Sequence, residues 1–116
     1  ARYMEFLEEA RWVYCEENGI FERLFSAKGI SHAVVGITIN CRRRAGNGNS
    51  LRIVTGVLRK GKSSYTMGQR IYLENSDVIV ADAQVTNVLL DHAGSILPID
   101  EEIDRLWPDL MEISGK

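Results

Sequence analysis

Gly56-Val57-Leu58-Arg59-Lys60-Gly61-Lys62-Ser63 runs on into Ser64-Tyr65-Thr66-Met67-Gly68-Gln69-Arg70-Ile71-Tyr72-Leu73, and the whole stretch admits two incompatible folds. Its first eight residues satisfy the P-loop pattern, and Val78-Ile79-Val80-Ala81-Asp82 imitates the acidic strand that holds magnesium beside such a loop. A P-loop cradles phosphate because a helix follows it, with N-terminal amides pointing at the anion. Here the following residues alternate instead: Tyr65, Met67, Gln69, Ile71 and Leu73 fall on one face with a period of two, the mark of a strand. A parallel nucleotide-binding sheet also needs crossover helices, and no segment between these strands is long enough to supply one. The reading is therefore a hairpin turning at Lys60-Gly61-Lys62, with a P-loop nucleotide binder as the remote alternative.

The same alternation extends in both directions. Leu51, Ile53, Thr55 and Val57 form the preceding strand, reached through the turn Arg43 to Ser50. Ala33 to Cys41 is β-branched and apolar, fit for a buried strand, and Val78 to Leu90 makes a long fourth strand after a turn at Glu74 to Asp77. Upstream the period changes. Tyr3, Phe6, Leu7, Ala10 and Tyr14 recur at helical spacing over residues 2–17, with Asn18-Gly19 as the stop. A shorter helical piece is expected over Ile20 to Ala27. A last helix should start at Asp100, an N-cap followed by acids in the first turn. One long helix followed by an antiparallel meander is an α+β layout, in which the sheet must curl around the helix.

The 116 residues, 45% apolar and 26% charged, fit one soluble domain (1–116) and exclude disordered and fibrous classes. No apolar run approaches the roughly 20 residues of a membrane helix. Cys15 and Cys41 lie in no metal-ligand spacing, and Cys41, in an apolar strand, reads as a buried, inert thiol. A reducing, cytoplasmic setting is expected, with neither metal nor cofactor. The net charge of −2 conceals a segregated pattern. Residues 42–70 carry Arg42, Arg43, Arg44, Arg52, Arg59, Lys60, Lys62 and Arg70 and no acid, whereas residues 71–116 hold ten acids against Arg105 and Lys116. Solvated strand faces explain this simply; a basic edge for a phosphorylated ligand is the sharper reading. Overall acidity speaks against a nucleic-acid partner. His32 and His92 read as strand-end or surface residues, and Glu8-Glu9 and Glu16-Glu17 as solvated helix positions.

Three stretches in order carry a family likeness. Ala1-Arg2-Tyr3-Met4-Glu5-Phe6-Leu7-Glu8-Glu9-Ala10-Arg11 resembles the opening of the central helix of hotdog-fold acyl-CoA thioesterases of the 4-hydroxybenzoyl-CoA thioesterase type. Ile39 to Thr55 resembles that family's strand, basic pair, turn and second strand, with Arg44 where the family often has Pro and Asn49 where it usually has Asp. Gly61 to Tyr72 and Val78 to Pro98 resemble its later strand pair, ending in a valine-rich run, an Asp, a Gly and a Pro. The resemblance implies a hotdog fold, a homodimer or homotetramer joined through the edge strand Ala33 to Cys41, and hydrolysis of an acyl-CoA thioester. It further implies that the family's first strand and catalytic carboxylate lie upstream of Ala1, so no catalytic residue is assigned within these residues. By the same resemblance, Arg44, Arg59, Lys60, Lys62, Ser63 and Ser64 would bind coenzyme A. Tyr3 and Phe6 would line the acyl tunnel or simply pack in the core. A hotdog domain that binds acyl-CoA or acyl-carrier protein without turnover, or serves as a dimeric scaffold, is the alternative.

Overall fold

The computed structural model describes residues 3–26, 28–43 and 50–99, together with Glu101 and Arg105. Helix α1 spans Tyr3–Glu17. It stops where the sequence says it should: Gly19 takes φ 71°, and the Asn18 backbone N–H and side-chain Nδ2 both donate to the Tyr14 carbonyl. Glycine carries no Cβ penalty in this left-handed conformation. The expected second helical piece is a single π-helical turn, Phe21–Ser26. Strands β1 (Ser31–Cys41), β2 (Leu51–Lys60), β3 (Ser64–Leu73) and β4 (Ile79–Leu90) follow, and a two-residue strand β5 (Ile96–Leu97) was not foreseen. The Asp91 carboxylate makes β5 possible by accepting from the Ala93 and Ser95 backbone N–H groups, closing the tight turn that returns the chain onto β4. The C-terminal helix expected from Asp100 lies largely outside the described residues, as do Arg44 and Asn49.

All pairings are antiparallel, in the order β1-β4-β3-β2, with β5 added to β4. The hairpin β2–β3 closes with the Gly61 N–H donating to the Ser64 carbonyl. Gly56 to Lys60 therefore lie inside a strand, and Ser64 to Leu73 form a strand too, which removes the helix a P-loop needs.

The face of β3 read from its alternation packs beneath α1 in two clusters. Tyr65 and Met67 join Val57, Leu89, Cys15, Ile20 and Ile30 near the helix C-terminus. Ile71 joins Leu7, Val80, Ala81 and Ala83 near its N-terminus, flanked by Tyr3, Leu51 and Leu73. α1 therefore runs opposite to β3.

β1 is the edge strand that the family likeness implies, but the burial read from its apolar composition is corrected: most of it is exposed in a single protomer. A bulge between Val34 and Gly36 leaves Val35 60% exposed, with Val34 and Ile37 also open to solvent. Cys41 is exposed as well, contrary to the buried thiol expected; the buried one is Cys15. An apolar strand composition predicts burial only once the strand's place in the sheet is known, and an edge strand buries one side at most.

Candidate active site

Gln69 separates the two clusters. It is fully buried, and a buried amide is tolerated only when its donors and acceptor are met. Its Nε2 donates to the Leu7 carbonyl at 2.8 Å and to Thr55 Oγ1 at 3.1 Å, while its Oε1 accepts from Arg11 Nη1 at 2.9 Å. Two helix residues and a neighbouring strand are thus tied to one amide. This fixes how far α1 slides along the sheet, and with it where the helix N-terminus presents its amides.

Two hollows flank the helix. On the β2 side a groove of about 590 Å³ runs between α1 and the outer strand, lined by Phe6, Ala10, Val13 and Tyr14 from the helix and Leu51 and Ile53 from the strand. Phe6 is 39% exposed into it. Tyr3, by contrast, packs against the Leu7–Ile71 cluster. On the β1 side a chamber of about 240 Å³ is lined by Arg11, Trp12, Cys15, His32, Tyr65 and Asn87, among others. Trp12 meets His32 edge-on, with ring centroids 5.4 Å apart. Desolvation governs the titration of this chamber. It lowers the pKa of His32, opposed by the hydrogen bond that the ring donates to Asn87, and lowers that of Arg11. It raises that of Tyr65 and pushes Cys15 up to about 11.

The basic segment does not gather into one patch. Arg42 pairs with Asp82 at 2.7 Å, and Arg52 lies 4.3 Å over the Tyr72 ring. Arg59 donates to Gln84 Oε1 at 3.1 Å, and its register opposite Thr66 places it on the sheet face away from the helix. Arg70 is only 7% exposed. Lys60 sits opposite Tyr65. Exposed Lys62 and half-buried Ser63 and Ser64 form the adjoining turn, where the Lys62 carbonyl accepts from the Ile99 N–H. This turn lies at the helix C-terminal end of the sheet, whereas Tyr3 and Phe6 lie at the helix N-terminal end. Nine residues of strand at about 3.4 Å each separate the two by roughly 30 Å within one protomer. Arg11 and Gln69 were not singled out from the sequence. The available signal was Gln69 itself, a polar residue on an otherwise apolar strand face.

No helix among the described residues is long and apolar enough to cross a membrane. The family described as the thioesterase-like superfamily matches residues 1–106. The long-chain acyl-CoA thioesterase FadM of Escherichia coli (strain K12) is 41% identical over 91 residues, covering 78% of this chain and 68% of FadM. The crystal structure of YbaW from Escherichia coli superposes with a TM-score of 0.84 at 36% identity, covering 91% of this chain and 80% of YbaW. Slr0204, a 1,4-dihydroxy-2-naphthoyl-CoA thioesterase from Synechocystis, shares the fold at a TM-score of 0.73 and 14% identity, over 90% of this chain and 78% of its own. A helix lying across a curled antiparallel sheet, matched nearly end to end in sequence and in structure, places this chain in the thioesterase-like superfamily with the hotdog fold.

Proposed function

We propose that this chain is the body of an acyl-CoA thioester hydrolase, releasing a free acid and coenzyme A. The observation that carries this is the 41% identity to a long-chain acyl-CoA thioesterase over 91 residues, 78% of this chain. In this reading the thioester carbonyl lies near the N-terminus of α1, where unpaired amides and the helix dipole stabilise the developing oxyanion. A carboxylate expected upstream of Ala1 attacks the carbonyl or activates water towards it, and the coenzyme A thiolate departs. The acyl chain runs past Phe6, and Tyr3 supports it from the core. The outer edge of β2, beside the groove, is the place for the family's first strand.

The acting unit is proposed to be a homodimer, or a dimer of dimers. β1 is long, apolar and exposed, and an edge of that kind calls for a partner. Twofold pairing of β1 with its copy is antiparallel, so the Ser31 end of one protomer meets the Cys41 end of the other. The Lys60–Lys62 turn of one copy then lies at the same end of the joined sheet as the helix N-terminus of the other. Coenzyme A would bridge the two, with phosphates at Lys60 and Lys62, Arg59 flanking from the opposite sheet face, and Ser63 and Ser64 on the pantetheine amides; a contact from Arg44 rests on the family likeness alone. A cytoplasmic location suits this substrate.

The test is hydrolysis of a panel of acyl-CoA esters by the intact parent protein, followed by thiol release, with light scattering on the same sample. Turnover by a dimer or tetramer is the expected result. Binding without turnover would assign the chain to a non-catalytic acyl carrier, and an active monomer at micromolar concentration would overturn the shared site. A Lys60→Ala/Lys62→Ala variant is expected to keep most of its stability, because Lys62 is exposed and Lys60 only half-buried, and charges at such positions contribute little. It should bind coenzyme A at least about tenfold more weakly by calorimetry, a factor of about 1.4 kcal/mol, and the difference should grow at low salt. Equal affinities would make the two lysines a solvated turn and nothing more.

A further inference from the structure

The chamber between α1 and β1 carries chemistry that the thioesterase reading leaves unused. Its lining combines a cation with apolar walls: Arg11 on one side, and Trp12, Val34 and Met67 around it. Tyr65 and Asn87, 2% and 1% exposed, add a hydroxyl and an amide to the same lining. A guanidinium has five N–H donors in a rigid fork. Among the described residues Arg11 spends one of them, on Gln69. It is half-buried, in surroundings that penalise its charge, and it keeps that charge with donors to spare. Glu8, exposed at the rim, is the only acid in the lining, and His32 is held neutral by desolvation. The interior is therefore a small apolar space with one forked cation, a hydroxyl and an amide. At roughly 30 Å³ per water its volume equals about eight water molecules.

We propose that this chamber binds a carboxylate with a compact apolar body, its two oxygens on the Arg11 fork and its body against Trp12, Val34 and Met67. Bidentate guanidinium–carboxylate pairing supplies orientation as well as attraction, and low local polarity strengthens both. The carboxylate has two sources: a free acid, or the far end of a dicarboxylic acyl chain on coenzyme A. The second source rests on the thioesterase reading and the first does not.

Benzoate and benzyl alcohol, matched in body and different in head, are the probes. Titrated calorimetrically onto the intact protein, benzoate is expected to bind at least tenfold more tightly, with shifts of the Trp12 indole resonance marking the chamber. Arg11→Met should abolish the preference. Because that change also touches the Gln69 contact, Arg11→Lys provides a second variant: it keeps a cation and a donor for Gln69 but loses the fork, and it should reduce the benzoate preference. Equal affinity for the two probes in the wild type, or a benzoate preference surviving in Arg11→Met, overturns the proposal. The wild-type enzyme separates the sources. If the chamber takes the acyl end, benzoate raises KM for adipoyl-CoA and not for hexanoyl-CoA; if it takes a free acid, neither KM moves while benzoate still binds. Benzoate binding by a protein that hydrolyses no acyl-CoA would defeat the thioesterase reading and leave the chamber standing. Hydrolysis without benzoate binding would do the reverse.

Discussion

A Gln69→Met variant should unfold about 12 °C below the wild type. Methionine matches the length and bulk of glutamine, so the core stays filled and the loss isolates the three hydrogen bonds. The contact with Arg11 is charge-assisted and contributes about 1.5–3 kcal/mol, and each neutral bond contributes about 1 kcal/mol. Part of this returns, because Arg11 and Thr55 are not fully buried and regain water. The Leu7 carbonyl still has its helical partner. A net loss of about 3 kcal/mol is expected, large against the 5–15 kcal/mol by which a domain is usually stable. For a chain between the small and middle size classes that corresponds to about 4 °C per kcal/mol. Differential scanning calorimetry of the two proteins decides it, and a shift under 3 °C would mean that α1 is held by its apolar contacts alone. The variant also reports on the site. If Gln69 sets the position of α1, kcat should fall further than the remaining folded fraction explains.

The fold was legible because its signals are local. The alternation from Tyr65 to Leu73 needs only neighbouring residues to be read, and it separates a hairpin from a P-loop without reference to the rest of the chain. Asn18-Gly19 is equally self-contained, since the positive φ belongs to one residue. What escaped the sequence depends on distant partners. β5 is two residues long, too short to show a period, and exists because Asp91 folds the turn back onto β4. The family likeness implied that Ala33 to Cys41 is an edge, but apolar composition alone reads as burial, and the exposure of β1 and Cys41 follows from the strand order.

The site was legible in kind and illegible in arrangement. Tyr3, Phe6 and the lysines of the turn were named from the family likeness. The sequence gives no hint that helix and sheet run in opposite senses, which puts them at opposite ends of a protomer. Arg59 and Lys60 are adjacent in the chain, yet strand alternation sends them to opposite faces. The clustering of eight basic residues between 42 and 70 overstated a common surface, because Arg42, Arg52 and Arg59 each found a local partner. Gln69 could have been noticed as the polar member of an apolar face, but its partners Leu7 and Arg11 lie about sixty residues away.

The protein should lose several kcal/mol of stability between pH 8.5 and 11, and the chamber residues are the cause. Burial raises the pKa of Tyr65 well above its ordinary value and that of Cys15 to about 11, and it also raises that of Tyr14, which lines the groove on the other side of the helix. For each group the folded value exceeds the unfolded one. Below the unfolded value both states hold the proton and pH has no effect. Above it the unfolded chain releases the proton and the folded chain does not, so stability falls until the folded value is passed. Cys15, moving from 9.0 to about 11, accounts for about 2–3 kcal/mol at 1.36 kcal/mol per unit. Tyr65 adds about 1 kcal/mol more by pH 11, starting near pH 10. His32 acts at the other end: its folded value is lowered, so its contribution is present above about pH 6.5 and declines as the pH falls below it. The optimum therefore lies near pH 7–8.5. Urea titrations at pH 8, 9.5 and 11 in the presence of a reductant measure the alkaline limb, and Tyr65→Phe, which keeps the ring and removes the proton, should flatten it above pH 10. A free energy of unfolding unchanged from pH 8 to 11 would show that the chamber is open to water, and a Tyr65→Phe curve parallel to the wild type would assign the alkaline loss to Cys15 alone.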